Sequence, residues 1–216
     1  MELISLIRES LPDLFNGLMV TLELTVLSLF IAVIIGLIAG FMRLSKNRVL
    51  STLSRWYVNI IRGTPLLVQI LYVYFGIPMI TGIRMTAFTA SIITMSIYSG
   101  AYISEIFRSG ILSIDPGQLE GGLSLGFTKA QTMRKIILPQ AIRNTLPTFV
   151  NQFTMTLKDT SLLSTIGVTE LTFRGKAIYS ANFRTFEVLT MVAVLYFVIV
   201  YALTRFSLYL ERRMAV

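Results

Sequence analysis

Cysteine and histidine are both missing from the 216 residues. Without cysteine there is no disulfide framework and no thiolate metal or redox centre. Without histidine the chain loses the commonest general base, the commonest zinc ligand and any Ser-His triad. Charge is scarce as well: Asp, Glu, Lys and Arg make up 14% of the residues, against about 25% in a soluble domain. That excludes an ordinary water-soluble enzyme. Intrinsic disorder is excluded too, because disordered chains are rich in charge and poor in apolar groups. No stretch has the form G-x-x-x-x-G-K-[ST], so there is no phosphate loop for a nucleotide.

What fills the chain instead is apolar: 54% of residues are hydrophobic and the mean hydropathy is +0.73. The length suits a single domain, 1–216. Spanning the hydrocarbon core takes about 20 mainly apolar residues as a helix. Residues 24–43, 63–83, 85–104 and 188–204 each provide a long run with at most one charge. The second run extends back towards Leu50, since Trp56 and Tyr57 suit an interfacial belt. A fifth run, 136–157, is broken by Pro139, Arg143, Pro147, Asn151 and Gln152. A helix facing other protein explains that polarity better than a surface segment does. The expectation is an all-α integral membrane protein with five transmembrane helices, at about 14–43, 50–80, 85–111, 136–159 and 186–211.

The net charge of +8 belongs to loops of such a protein rather than to nucleic-acid binding. Three basic groups, Arg43–Lys46–Arg48–Arg55, Arg108–Lys129–Arg134–Lys135–Arg143 and Arg205–Arg212–Arg213, fall on one side if the N-terminus is outside. The positive-inside rule then makes that side, and the C-terminus, cytoplasmic. Arg84, Arg174, Lys176 and Arg184 remain outside. The first thirteen residues hold Glu2, Arg8, Glu9, Pro12 and Asp13, which is not the pattern of a cleaved signal peptide.

Residues 112–139, LSIDPGQLEGGLSLGFTKAQTMRKIILP, form the one long cytoplasmic segment. Asp115-Pro116-Gly117 signals a turn, and a short amphipathic helix follows, with the segment centred on 115–130. Glu120-Gly121-Gly122, then Gly126, then nine residues, then Ile136, Leu138 and Pro139 resemble the cytoplasmic motif E-A-A-x-x-x-G…I-x-L-P. That motif marks permease subunits of ATP-binding-cassette importers. The departure is Gly-Gly for Ala-Ala. IRGTPLLVQ at 61–69, SEIFRSGI at 104–111, LPQAIRNTLP at 138–147 and KDTSL at 158–162 resemble the polar-amino-acid uptake branch, of the histidine, glutamine and arginine permease type. The resemblance implies a type I importer fold and a bacterial inner-membrane location. Two permease subunits, here expected as a homodimer, would form the pathway. A coupling helix carrying Glu120, Gly121, Gly122, Gly126, Leu138 and Pro139 would sit on one of two cytoplasmic ATPase subunits. Those subunits would hold ATP and Mg, so this chain needs no cofactor and is not itself an enzyme. An extracytoplasmic binding protein would deliver the amino acid.

A free amino acid needs an acceptor for its ammonium and donors for its carboxylate. Ionisable groups within spans are costly and tend to face a cavity. Glu23, Glu105, Asp159 and Glu170 are the acidic candidates. Glu105 and Arg108, one turn apart, suit a structural pair. Asp159 is the expected ammonium acceptor, with Gln69, Ser96 and Ser99 as polar contacts and Thr21 with free backbone amides at the carboxylate. Ser96 and Ser99 equally suit helix packing through small residues. An extra carboxylate, Glu23, would attract a cationic side chain and repel an acidic one, so the expected substrate is basic: arginine, then lysine or histidine. Glutamine or glutamate is the alternative. An ion-coupled transporter would show internal repeats, and none is visible. A membrane enzyme would have to work with groups such as Ser161 and Lys158, and nothing else supports such a dyad.

Overall fold

The computed structural model describes residues 2–214, with side chains described over 4–209. Arg212 and Arg213 of the basic tail therefore lie outside the described side chains. Ten α-helices follow one another and no strand occurs among the described residues. The first, α1 (Glu2–Leu44), is 43 residues long. It is followed by α2 (Arg48–Gly63), α3 (Leu66–Leu71), α4 (Ile77–Thr81) and α5 (Ala87–Leu112). Then come α6 (Pro116–Ser124), α7 (Lys129–Thr132), α8 (Leu138–Asp159), α9 (Leu171–Asn182) and α10 (Thr185–Met214).

Two of these, over Ile4–Leu44 and Thr185–Tyr209, are long and apolar enough to cross a membrane. The expected span at 50–80 is not one rod. Arg48–Gly63 and Leu66–Thr81 qualify together, but they meet at 104°. Pro65 is the reason: its ring forces Thr64 out of the helical region, and Thr64 is extended at φ −121°, ψ 143°. Helices α5 and α8 are long enough, yet their serines, threonines and glutamines leave them short of the same apolarity. Ser99 of α5 and Thr156 of α8 join the two helices through their hydroxyls, while Ser91, Thr94 and Thr154 bond to carbonyls of their own helix.

Prolines explain two further irregularities. The π-helical turns Tyr72–Gly76 and Met133–Ile137 end with Ile77 N–H on Tyr72 O and Leu138 N–H on Met133 O. Pro78 and Pro139 come next in each case. A proline ring clashes with the carbonyl four residues back, and a widened turn just before it relieves the clash.

In a bilayer the hydrophobic effect does not press helix against helix, so close approach and cross-helix hydrogen bonds carry the packing. α1 and α5 meet through glycines. A Cβ on Gly36 would lie 2.5 Å from Ile103 Cγ2, and one on Gly100 2.9 Å from Ile35 Cγ2. Ser54 Oγ donates to Ala39 O at 2.6 Å and Tyr57 OH to Ile97 O at 2.7 Å, which fastens α2 to α1 and α5. Tyr57 thus packs inward, while Trp56 beside it is exposed. The bends bring Leu24, Ile70, Met95 and Leu163 into one buried cluster. A second cluster, Leu14, Leu18, Leu171 and Val192, joins α1, α9 and α10. Large apolar side chains such as Phe30 and Phe197 stay exposed along α1 and α10, the face that acyl chains cover.

Candidate functional site

Where α8 ends, Asp159 is half-buried and its carboxylate has no hydrogen bond or ion pair among the described residues. It acts electrostatically on Tyr98, and so does Arg62. Tyr98 and Tyr102 are one turn apart on α5, with hydroxyls 3.2 Å apart and ring centroids 5.0 Å apart. The Arg62 guanidinium lies over the Tyr102 ring, 5.0 Å from its centroid. Arg62 sits at the end of α2, where the Gly63–Pro65 break exposes it; it lies within electrostatic range of Glu105 but forms no ion pair among the described residues. A tyrosine pair is thus flanked by an unpaired acid and an unpaired guanidinium. An ammonium fits the first and a carboxylate the second.

The other expected contacts are distributed differently. Thr21 is fully buried and its Oγ1 accepts from Leu171 N–H at 3.2 Å, so it fastens α9 to α1. Ser99 Oγ pairs with Thr156 Oγ1 at 2.9 Å, joining α5 to α8. Ser96 is buried and its hydroxyl has no partner. Gln69 spends its amide on the break, donating to Ile61 O at 2.8 Å and to Thr64 Oγ1 at 2.7 Å. Gln69 also borders a cavity of about 410 Å³ at the bend, but Asp, Glu, Lys and Arg are absent from its wall. That wall does not match a zwitterion. Glu23 is exposed, with no ion pair among the described residues. Arg62, Tyr98 and Tyr102 escaped sequence reasoning, which weighed the acids inside spans and the small polar side chains Thr21, Gln69, Ser96 and Ser99. The visible signal was an arginine, Arg62, inside an otherwise apolar stretch.

The remaining two acids are structural. Arg108 Nε donates to Glu105 Oε1 at 2.9 Å, with Nη2 also bonded, and Arg43 Nη2 is 3.9 Å from Glu105 Oε2. Glu170 is fully buried and caps α9, accepting from Thr172 N–H at 2.8 Å and Phe173 N–H at 2.7 Å. Tyr196 OH donates to it at 3.1 Å, tying α10 to the cap. Burial pushes the Glu170 carboxyl above its usual range, and these donors pull it back.

The segment that carries the motif forms two short helices, α6 and α7. Asp115 caps α6 by accepting from Gly117 N–H at 2.6 Å. Thr128 and Gln131 make a capping box on α7. Gly126 turns the chain between them at φ +83°, a conformation side chains resist. Leu125 is 78% exposed and Leu123 is exposed beside it. Leu138 and Pro139 open α8 on the far side.

The two glycines that replace the motif's alanines are not equivalent. Gly121 has open space where a Cβ would go, so Gly121→Ala should leave stability unchanged or raise it by up to about 1 kcal/mol. A Cβ on Gly122 would lie 2.5 Å from Thr132 Cγ2, and Thr132 is held by its hydroxyl bond to Thr128 O at 3.1 Å. Gly122→Ala should therefore loosen α6 from α7, at about 1–3 kcal/mol. Hydrogen exchange over 116–132 in the two variants distinguishes them.

Residues 32–216 match the family described as the binding-protein-dependent transport system inner membrane component. The chain is 42% identical over 213 residues to the glutamine transport system permease protein GlnP of Escherichia coli K12, covering 98% of this chain and 97% of that protein. It is 44% identical over 190 residues to the probable amino-acid permease protein YxeN of Bacillus subtilis 168, covering 87% of this chain and 85% of that one. The crystal structure of an amino acid ABC transporter with histidines superposes with a TM-score of 0.93 at 39% identity over 99% of both chains.

Proposed function

The chain belongs to the family of binding-protein-dependent transport system inner membrane components, and from that premise we propose that it passes a polar amino acid, preferentially one with a cationic side chain, into the cytoplasm. It is a non-catalytic permease subunit of an ATP-binding-cassette importer of amino acids, and ATP is hydrolysed on a separate subunit. What supports this substrate site is that Asp159 and Arg62 both lie within electrostatic range of Tyr98, with the Arg62 guanidinium over the Tyr102 ring. Asp159 receives the ammonium, Arg62 the carboxylate, and the rings bound the space between them. Glu23 supplies a further carboxylate for a cationic side chain.

Five passes, with the N-terminus outside, put α6 and α7 in the cytoplasm with the basic groups. Two copies related by a two-fold axis enclose the pathway. Exposed Leu123 and Leu125 seat each copy's cytoplasmic segment on an ATPase that carries ATP and Mg. This chain needs no cofactor of its own. A binding protein delivers the amino acid from outside.

The test is uptake of labelled amino acids into proteoliposomes holding the permease, its ATPase and its binding protein. Glu23→Ala is expected to lower arginine uptake several-fold and to leave glutamine uptake as it was. Undiminished arginine uptake would remove the cationic preference. A second reading, glutamine as the substrate, is favoured by the relative from Escherichia coli, whose name specifies glutamine transport. Under that reading the wild type takes up glutamine in preference to arginine, and Glu23→Ala changes neither.

A further inference from the structure

We propose that one face of α2 is a ladder of guanidinium groups that receives the carboxylate of the departing amino acid and leads it to the cytoplasm; this rests on the reading of the substrate as a free amino acid. Arg48, Arg55 and Arg62 are spaced by seven residues. Two helical turns separate successive rungs, about 10.5 Å of rise, and the three side chains share a face with only about 20° of drift at each step. Thr52 and Asn59 fall on that same face, and all five residues are exposed.

The other faces of α2 are already assigned by their surroundings. Ser54 and Val58 are buried against the protein. Val49, Leu53, Trp56 and Ile60 form a stripe nearly opposite, each more than half exposed and all apolar. In a bilayer that stripe takes the lipid or the second subunit.

Depth makes the arginine face informative. α2 climbs back along the inner half of α1. Ser51 Oγ donates to Arg43 O at 3.3 Å, Ser54 Oγ to Ala39 O at 2.6 Å, and Tyr57 OH reaches Ile97 O on α5 at 2.7 Å. From Arg48 to Arg62 the helix rises about 21 Å, while the hydrocarbon core is about 30 Å thick. An arginine so deep costs at least about 2.5–3.5 kcal/mol against acyl chains, so it faces protein or a water-filled path. Arg62 already touches the candidate site through Tyr102.

The rungs are also chemically available. Arg43 and Arg108 both lie against Glu105, whereas Arg48, Arg55 and Arg62 have no ion pair among the described residues. A free guanidinium presents a planar fork of donors that matches a carboxylate and is weakly hydrated. Rungs about 10.5 Å apart let one carboxylate be exchanged from one to the next without being trapped between two.

The absence of native cysteine makes a labelling experiment clean. Asn59→Cys places a thiol between Arg55 and Arg62 and leaves every rung in place. Ile60→Cys places one at the same depth on the apolar stripe. Each variant is assembled with its ATPase in proteoliposomes and treated on the ATPase side with a membrane-impermeant thiosulfonate, either anionic (sulfonate) or cationic (trimethylammonium). Modification is read on this chain. With each rate divided by that reagent's rate on a free thiol in solution, the expected result is that Asn59→Cys is modified at least about tenfold faster by the sulfonate than by the ammonium reagent, because a locally positive potential concentrates anions. Ile60→Cys stays unmodified by both. Adding Arg55→Gln to Asn59→Cys brings the two rates towards equality. An unreactive Asn59→Cys, a rate ratio near one before Arg55 is changed, or equal reactivity at Asn59→Cys and Ile60→Cys overturns the ladder. Should Asn59→Cys fail to assemble, Thr52→Cys on the same face takes its place, with Leu53→Cys as its control. Amino-acid uptake by the unsubstituted transporter in the same vesicles reports separately on the proposed function.

Discussion

Asp159→Asn is expected to lower the apparent affinity for every transported amino acid by roughly 30-fold to several-thousandfold. Asparagine keeps the shape and removes the charge. The substrate's ammonium then sits partly buried without a counter-charge, and loss of one partner of such a pair costs about 2–5 kcal/mol, with each 1.4 kcal/mol worth a factor of ten. The half-burial of Asp159 and the absence of a hydrogen bond or ion pair to it among the described residues place this variant in that range. Because no internal salt bridge is lost, the fold should survive unchanged. The measurement is concentration-dependent uptake with binding protein in excess, alongside thermal unfolding of the detergent-solubilised transporter. If Asp159→Asn transports with wild-type concentration dependence, the ammonium is bound elsewhere. If it unfolds instead, the carboxylate is structural.

Glu170→Ala should do the reverse: a large loss of stability, with any surviving transport showing normal substrate preference. Its carboxylate serves Thr172 N–H, Phe173 N–H and Tyr196 OH while fully buried. Losing a helix cap costs about 0.5–2 kcal/mol, and each buried donor left unsatisfied adds about 1–3 kcal/mol. The sum is several kcal/mol, a sizeable part of the margin of a typical domain. Glu170→Gln keeps one acceptor and should fall between wild type and Glu170→Ala. Tyr196→Phe removes the bonds of its hydroxyl to Glu170 and to Thr172 Oγ1 and should cost about 1–3 kcal/mol. Thermal unfolding of the solubilised transporter ranks the four proteins. Equal melting temperatures for wild type and Glu170→Ala would show that the cap and the α10 tether carry no stability.

These two acids looked alike in the primary structure. Both stand near the ends of apolar stretches, and both were candidates because a carboxylate at such a place is costly. Only the fold separates them. Glu170 is met by the amides of the helix it begins and by a tyrosine 26 residues away. Asp159, followed by a 3₁₀ turn, has no hydrogen bond or ion pair among the described residues. The same holds for the hydroxyls. Thr21 is spoken for by Leu171 N–H, 150 positions away, and Ser99 by Thr156. Distances of that kind in sequence carry no local signal.

Hydropathy was enough to point to an all-helical membrane protein, and the resemblance carried by Glu120, Gly126, Ile136, Leu138 and Pro139 to the importer motif implied a permease driven by another chain's ATP. Such features are local: a run of apolar side chains needs lipid whatever its neighbours do, and a motif of fixed spacing survives any arrangement of the rest. The bend at Pro65, the joining of Arg62 to Tyr98 and Tyr102, and the division of labour between Gly121 and Gly122 were decided by three-dimensional packing. Each depends on which helix lies alongside which, and that contact is settled by the close approach of distant glycines and the pairing of distant polar groups, neither of which is written within one turn of the chain.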